Sequence, residues 1–396
     1  MISFDDASDI LRGTLTPLES VDVAPGDAHG LVLADDLTAR LSSPRADLSA
    51  MDGYAIRDAD LPGPFQLIGT SSAGSTESLT LSKGQAVRIF TGAPLPDGAD
   101  RVIVQEIAEQ SPASPFALVR LVGNFGDSRY IRPTASDYAA GDTLLTAGTR
   151  LGPRQLVLAA AADRAELPVW RRPRVAILST GDELAAPGMA LETPGAIPDS
   201  VAIGIAALAR AWGGEVVGTA RSADHPEEIG RTSADLLARA DVLVTIGGAS
   251  VGDRDFARSS LAHFSFEQLF SRVAIRPGKP VWCATSTDKL VLGLPGNPTS
   301  AMVTARLFLA PILTALSGAS YDDALAWEAV TLSAPLPAPG EREHFARARR
   351  LATSAEPLSN QLSSSQAMLA LGDLLLRQPG GSDGLPAGTN VNALAF

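Results

Sequence analysis

Three uninterrupted aliphatic and β-branched runs near the centre of the chain, each closed by a polar loop, constrain the fold most. They are Arg174-Val-Ala-Ile-Leu-Ser-Thr-Gly-Asp-Glu-Leu184, Asp241-Val-Leu-Val-Thr-Ile-Gly-Gly-Ala-Ser-Val-Gly-Asp-Arg-Asp-Phe256 and Leu290-Val-Leu-Gly-Leu-Pro-Gly-Asn-Pro-Thr-Ser300. A strand with one wet face alternates apolar and polar residues, whereas a run without alternation belongs to a strand buried on both faces, the mark of a parallel sheet. Open parallel sheets bind ligands beyond the carboxyl ends of their strands. Here those ends carry glycines, hydroxyls and carboxylates, a composition suited to phosphate and a divalent cation.

The surrounding pattern extends this reading. From residue 172 to about 316 strand-like and helix-like segments alternate, as in βαβ units. Asp199-Ser-Val opens one helix that ends at Gly213-Gly214, His225-Pro-Glu-Glu opens a second, and Asn297-Pro298 opens an apolar helix to Leu316. Residues 42–137 differ, with short alternating stretches between Gly, Pro, Ser and Asp turns, which reads as a β-rich domain. Phe4, Ala7, Ile10 and Leu11 have helical spacing behind a Ser3 or Asp5 cap, residues 141–150 read as a hairpin, and Gly152 leads into a helix to Ala162. Residues 1–41 and 138–171 flank the β-rich piece and form a connecting domain into which it is inserted. Residues 172–320 form the α/β domain, and 321–396, again short alternating segments, a small C-terminal β domain.

Composition excludes several classes. Net charge is −12 and no basic tract occurs, so nucleic acid is not an expected partner. A single cysteine, Cys283, allows no intrachain disulfide, and it sits in an apolar run that reads as a buried strand. Four scattered histidines do not form a zinc site. No basic N-terminal region precedes an apolar stretch, and no uncharged apolar run approaches the ~20 residues of a membrane span, so a cytoplasmic, membrane-free protein is expected.

The loops carry the candidate chemistry. Gly247, Gly248 and Gly252 let backbone N–H groups approach an anion, and Ser250 adds a hydroxyl, although tight turns use glycine too. Asp253 and Asp255 beside such a cradle would repel phosphate unless a cation such as Mg²⁺ lay between, or they are solvated loop acids. Glu183 could hold a metal or take a proton, or with Asp182 it could face a helix dipole. Pro295, Gly296, Asn297 and Ser300 place a helix N-terminus at a strand end, where oxyanions bind, or form a rigid cap. Arg276-Pro-Gly-Lys279-Pro280 holds two cations rigidly, for phosphate or molybdate or as a surface turn. Ser49-Ala-Met-Asp-Gly-Tyr-Ala55 and Thr91–Asp100 read as polar turns without assignable chemistry.

In order along the chain, Ser49–Ala55, Arg88–Pro94 with Gly98–Asp100 and Gln105-Glu106, Ser179–Leu184, Gly247–Phe256, Arg276–Pro280 and Leu294–Ser300 resemble the molybdopterin molybdenumtransferase family (MoeA and the E domain of gephyrin). The resemblance implies an elongated α/β plus β multidomain fold with a central MogA-like domain. It implies insertion of molybdate into adenylylated molybdopterin with Mg²⁺ and release of AMP, in a homodimer. The molybdopterin adenylyltransferase and recipient molybdoenzymes would be further partners. It carries functional roles onto Asp52, Thr91, Asp137, Glu183, Asp224 and Asp255, with Glu183 and Asp255 as metal ligands and anion contacts at Arg276, Lys279 and Ser300. The chain departs from the family pattern at Ala135-Ser136, at Val201, and at Leu362–Gln366. An alternative is therefore a degenerate paralogue that binds molybdopterin as carrier or regulator without efficient insertion.

Overall fold

The computed structural model describes residues 1–75, 79–111, 117–247 and 266–396. The chain forms two compact units. One comprises residues 1–35, 147–153 and 168–396, the other residues 36–146 and 154–167.

The first unit is built on a six-stranded sheet in the order Glu215–Ser222, Arg174–Thr180, Val242–Ile246, Leu290–Leu294, Trp282–Thr285, Glu267–Phe270. The three aliphatic runs are adjacent members of its four parallel strands, with Ile177 opposite Val244 and Val244 opposite Leu292. Every residue of Val242–Ile246 and Leu290–Leu294 is buried, so the absence of alternation reported cover on both faces. The Trp282–Thr285 strand is antiparallel to Leu290–Leu294 and buries Cys283. Gly293 is needed there because a Cβ would fall 1.9 Å from Trp282 Nε1.

The helices have the expected local causes. Phe4–Thr14 starts at Ser3, whose hydroxyl accepts the Asp6 N–H while the Asp6 carboxylate accepts the Ser3 N–H. Val201–Ala211 and Pro226–Leu237 lie where their caps placed them. The helix from Pro298 runs to Leu316 through a wider π turn at Ala305–Leu309. Its 19 residues are long and apolar enough to span a membrane, but 94% of that window is buried inside the protein. It is the core helix, packing Leu307, Phe308, Ile312 and Leu313 against the sheet and against Phe4. The buried Arg306 on it donates to the carbonyls of Ala395 and Ala324 and stacks on Trp212.

A second sheet of the same unit orders Ile275–Arg276, Glu343–Arg350, Leu374–Gln378, Asn390–Ala395 and Glu328–Thr331, with Ala355–Pro357 added on Glu343–Arg350. The other unit carries a mixed six-stranded sheet in the order Arg101–Val104, Gly53–Ile56, Gln85–Ile89, Phe65–Ser71, Leu118–Leu121, Ala108–Ser111. The hairpin expected at 141–150 does not form. Thr143–Leu145 pairs instead with Leu37–Thr38, and Arg150 bridges to Val32, so both arms of the expected hairpin pair with the segment at residues 32–38.

Candidate active site

Three strand ends of the parallel sheet meet around one cavity of about 540 Å³. Thr180 ends one strand, Gly247 follows the next, and Pro295-Gly296 follows the third; all line the cavity. The approach is close. A Cβ on Gly247 (φ +92°) would lie 2.6 Å from the Thr180 carbonyl oxygen, and one on Gly296 would lie 3.6 Å from the Gly247 Cα. The Gly247 N–H donates to the Leu294 carbonyl at 3.2 Å.

Acidic groups occupy the same wall. Gly181 turns the chain out of its strand, and the Glu183 carboxylate folds back over it, so that a Cβ on Gly181 would meet the carboxylate oxygens at 2.8–3.0 Å. Glu183 and Asp224 both line the cavity. Asp199, buried, lines it too; its Oδ1 accepts the Ser179 hydroxyl at 3.1 Å and the Ala202 N–H at 3.5 Å, fixing the start of the Val201–Ala211 helix.

The third wall is a helix start. Asn297 caps the Pro298 helix by position, yet its side chain makes no capping hydrogen bond, and it lines the cavity. The first N–H groups of a helix are unpaired within it and carry the positive end of its dipole, so they favour an anion. Ser364 and Gln366 close this side. Their segment is held by Arg347, which is fully buried yet faces no carboxylate among its described partners. It donates to the Thr299 hydroxyl (3.3 Å) and to the carbonyls of Asn360 (3.0 Å) and Leu362 (3.1 Å). Gln366 Nε2 donates to the Ser200 hydroxyl at 3.3 Å.

A larger cavity, about 640 Å³, lies at the amino ends of the same strands, beside Arg171, Arg174, Asp241 and Lys289. Its central charges satisfy one another. Burial alone would raise the Asp241 carboxyl, but hydrogen bonds from Arg171 (2.6 and 2.9 Å) and Arg174 bring it down to about 2. That end is cross-linked structure, whereas the carboxyl ends present glycines, a helix N-terminus and acids.

The structure therefore brings together Glu183, Asp224, Gly247, Pro295, Gly296 and Asn297. Ser300 is buried behind the wall, where its carbonyl accepts the Thr304 hydroxyl. Of the cationic turn, only Pro280 reaches the cavity. Arg276 is exposed and pairs in register with His344 of the second sheet, and the Lys279 carbonyl accepts the Val273 N–H. Gly248, Ser250, Gly252, Asp253, Asp255 and Phe256 lie outside the described residues. Asp199, Ser200, Ser364 and Gln366 line the cavity without having been candidates. The signal for Asp199 was its cap position before a helix starting beside a strand end; for Ser364 and Gln366 it was the departure from the family pattern at Leu362–Gln366, a segment that lies at this wall.

In the other unit, Asp52 Oδ1 accepts both the Thr91 N–H (2.7 Å) and its hydroxyl (2.8 Å), holding its carboxyl below the usual range. Asp52-Gly53 is not a free turn. Gly53 begins a strand packed so closely that a Cβ would fall 1.9 Å from the Ile103 carbonyl oxygen. Arg88 is stacked against both Tyr54 and Phe90, each 5.0 Å away. Asp137 is exposed and its N–H donates to Ser43.

Among the described residues, no three His, Cys, Asp or Glu side chains gather to hold a metal by themselves. Mg²⁺ does not require that, since it takes one or two carboxylates and completes its shell with water and substrate phosphate. The oxygen donors Glu183 and Asp224 on one wall fit that demand.

The family model described as the MoeA N-terminal region (domain I and II) matches residues 2–162, and that described as a probable molybdopterin binding domain matches residues 176–315. A relative in Bacillus subtilis, molybdopterin molybdenumtransferase, is 33% identical over 386 residues, 94% of this chain and 89% of its own. The chain belongs to the molybdopterin molybdenumtransferase family. A relative of the same name in Nostoc is 37% identical over 76% of this chain and 70% of its own. Two crystal structures of the MoeA molybdopterin biosynthesis protein of Pyrococcus horikoshii superpose with TM-scores of 0.86 and 0.81. They share 26% and 23% identity; the pairs are covered over 100% of this chain and 99% and 100% of theirs. The α/β plus β multidomain fold is thus that of MoeA, and the cavity lies within the segment matching the molybdopterin-binding model and its C-terminal neighbour.

Proposed function

We propose that the chain inserts molybdate into adenylylated molybdopterin, releasing AMP, in molybdenum cofactor biosynthesis. The observation that carries this reading is the convergence of Thr180, Gly247 and Gly296 on one cavity that also holds Glu183 and Asp224.

The residues divide the work by chemistry. Gly247, Gly248, Gly252 and Gly296 let the backbone approach the pyrophosphate, with Ser250 as an added donor. The Asn297–Pro298 helix start favours negative charge. Glu183 and Asp255 would hold Mg²⁺, which when bound supplies Lewis-acid polarisation of the phosphoanhydride. Asp224 shares the acidic wall. The family resemblance assigns Arg276, Lys279 and Ser300 to the oxyanion; of the cationic turn Pro280 lines the cavity, while Ser300 is buried. Asp52, Thr91 and Asp137, in the other unit, are given functional roles by the same family resemblance. Asp52, ionised beside Thr91, suits a hydrogen-bond acceptor rather than a proton donor.

We place this activity in the cytoplasm, in keeping with phosphorylated, water-soluble substrates, and in a homodimer. Light scattering at micromolar concentration tests the homodimer, a monomer contradicting it. Substrate hand-over from an adenylyltransferase and delivery to molybdoenzymes follow from the same reading. No observation favours a binding-only carrier. Purified chain mixed with adenylylated molybdopterin, molybdate and Mg²⁺ should release AMP in a molybdate-dependent manner; tight binding without release would refute insertion.

A further inference from the structure

We infer that Asp182 is a positioning residue, holding the Asp224 loop against the Glu183 loop through hydrogen-bond acceptance rather than charge; this rests on the function proposed above. The strands Arg174–Thr180 and Glu215–Ser222 are parallel neighbours, registered to Thr180 opposite Ser222. Beyond that pair the backbones should diverge, since one chain turns out at Gly181 and the other enters the Pro226 helix. Hydrogen bonds keep them together, among them one from the Arg221 guanidinium to the Leu184 carbonyl at 3.4 Å. The Gly181 N–H donates to the Ser222 carbonyl at 3.2 Å, and one step further the Asp224 N–H donates to the Asp182 carboxylate at 3.0 Å. The side chain thus stands in for the carbonyl that a continuing strand would have offered, as Asp does in turns generally.

The consequence lies at the cavity. Glu183 and Asp224 line it and Asp182 does not, so Asp182 meets the site only through its neighbours. With Gly181 fixing the Glu183 side, Asp182 fixes the Asp224 side, setting the spacing of two acids that come from separate loops. Asp182 is exposed, so its loss leaves no buried group unpaired and the fold should survive substitution.

The role separates geometry from charge, because an asparagine keeps the accepting oxygen. Asp182→Ala should lower kcat for molybdate-dependent AMP release by roughly ten- to a hundredfold, the scale of small misplacements in an active site. It should also speed hydrogen exchange at the Asp224 amide. Asp182→Asn should restore both. An Asn variant as slow as the Ala variant, with the Asp224 amide still protected, would show that the charge acts directly and overturn the inference, as would an Ala variant with full turnover. If the wild-type chain releases no AMP, the functional reading fails. The exchange measurement then still decides: an Asp224 amide indifferent to Asp182→Ala rejects the positioning role.

Discussion

Arg347, with no solvent exposure, donates to the Thr299 hydroxyl at 3.3 Å. Through that bond the second sheet grips the first turn of the core helix, at the point where Asn297 faces the cavity. The same guanidinium holds the Asn360 and Leu362 carbonyls, which set the course of the segment bearing Ser364 and Gln366. Thr299 holds the same segment directly, its N–H donating to the Ser363 carbonyl at 3.1 Å and its hydroxyl to the Ser365 carbonyl at 3.3 Å.

Arg347→Met should accordingly destabilise the protein by about 3 kcal/mol, since each buried carbonyl left without its donor costs on the order of 1–3 kcal/mol. Urea unfolding measures this. Arg347→Lys should not restore stability, because an ammonium cannot span the same fork of acceptors. A lysine variant of wild-type stability would contradict the clamp.

His344 gives a pH signature. It is buried, its Nδ1 has no hydrogen-bond partner among the described residues, and burial first, then the charges of Arg276 and Arg347, lower its pKa from 6.5 to about 4. Above pH 6.5 the group is neutral in both states. As pH falls from 6.5 to 4 the unfolded chain takes up a proton that the native chain refuses, so stability falls with pH across that window. His344→Gln should flatten this part of the stability profile, read from unfolding at pH 4.5 and 7; an unchanged slope would place the titration elsewhere.

Gly247→Ala should impair the site more than the fold. The residue sits at φ +92°, and the added Cβ would meet the Thr180 carbonyl oxygen at 2.6 Å. Strain of about 1–3 kcal/mol is expected, along with separation of the two strand ends and loss of AMP release. Thermal unfolding and turnover together check it; full turnover would mean that the close approach is not required.

Thr91→Val removes one of two hydrogen bonds to Asp52 while keeping side-chain volume. The backbone N–H bond, the larger influence on this carboxyl, remains. The Asp52 pKa should therefore rise only part of the way to 3.8, followed by NMR titration, with turnover reduced and unfolding temperature unchanged. An Asp52 titration identical to wild type would remove the hydroxyl from the account.

Much of this was legible in the sequence because burial on both faces leaves a plain mark. Val242–Ile246 and Leu290–Leu294 have no alternation, and both are central parallel strands. Ser3, Asn297 and Pro298 announced helix starts for local reasons. Non-local pairing left no such mark: Thr143–Leu145 looked like half of a hairpin and found its partner a hundred residues earlier. Ser364 and Gln366 lie at the cavity because Thr299 and Arg347, from separate elements, hold their segment there. Arg276 and Lys279 stand out in the sequence by charge alone, and of their turn Pro280 lines this cavity.

The most direct measurement is AMP release from adenylylated molybdopterin by wild-type chain and by Glu183→Gln, with Mg²⁺, with and without molybdate. The account predicts molybdate-dependent release by the wild type and loss of release in the variant, which keeps shape and removes charge, at unchanged unfolding temperature. Equal release by both proteins would contradict the claim that the converging strand ends form the reaction site.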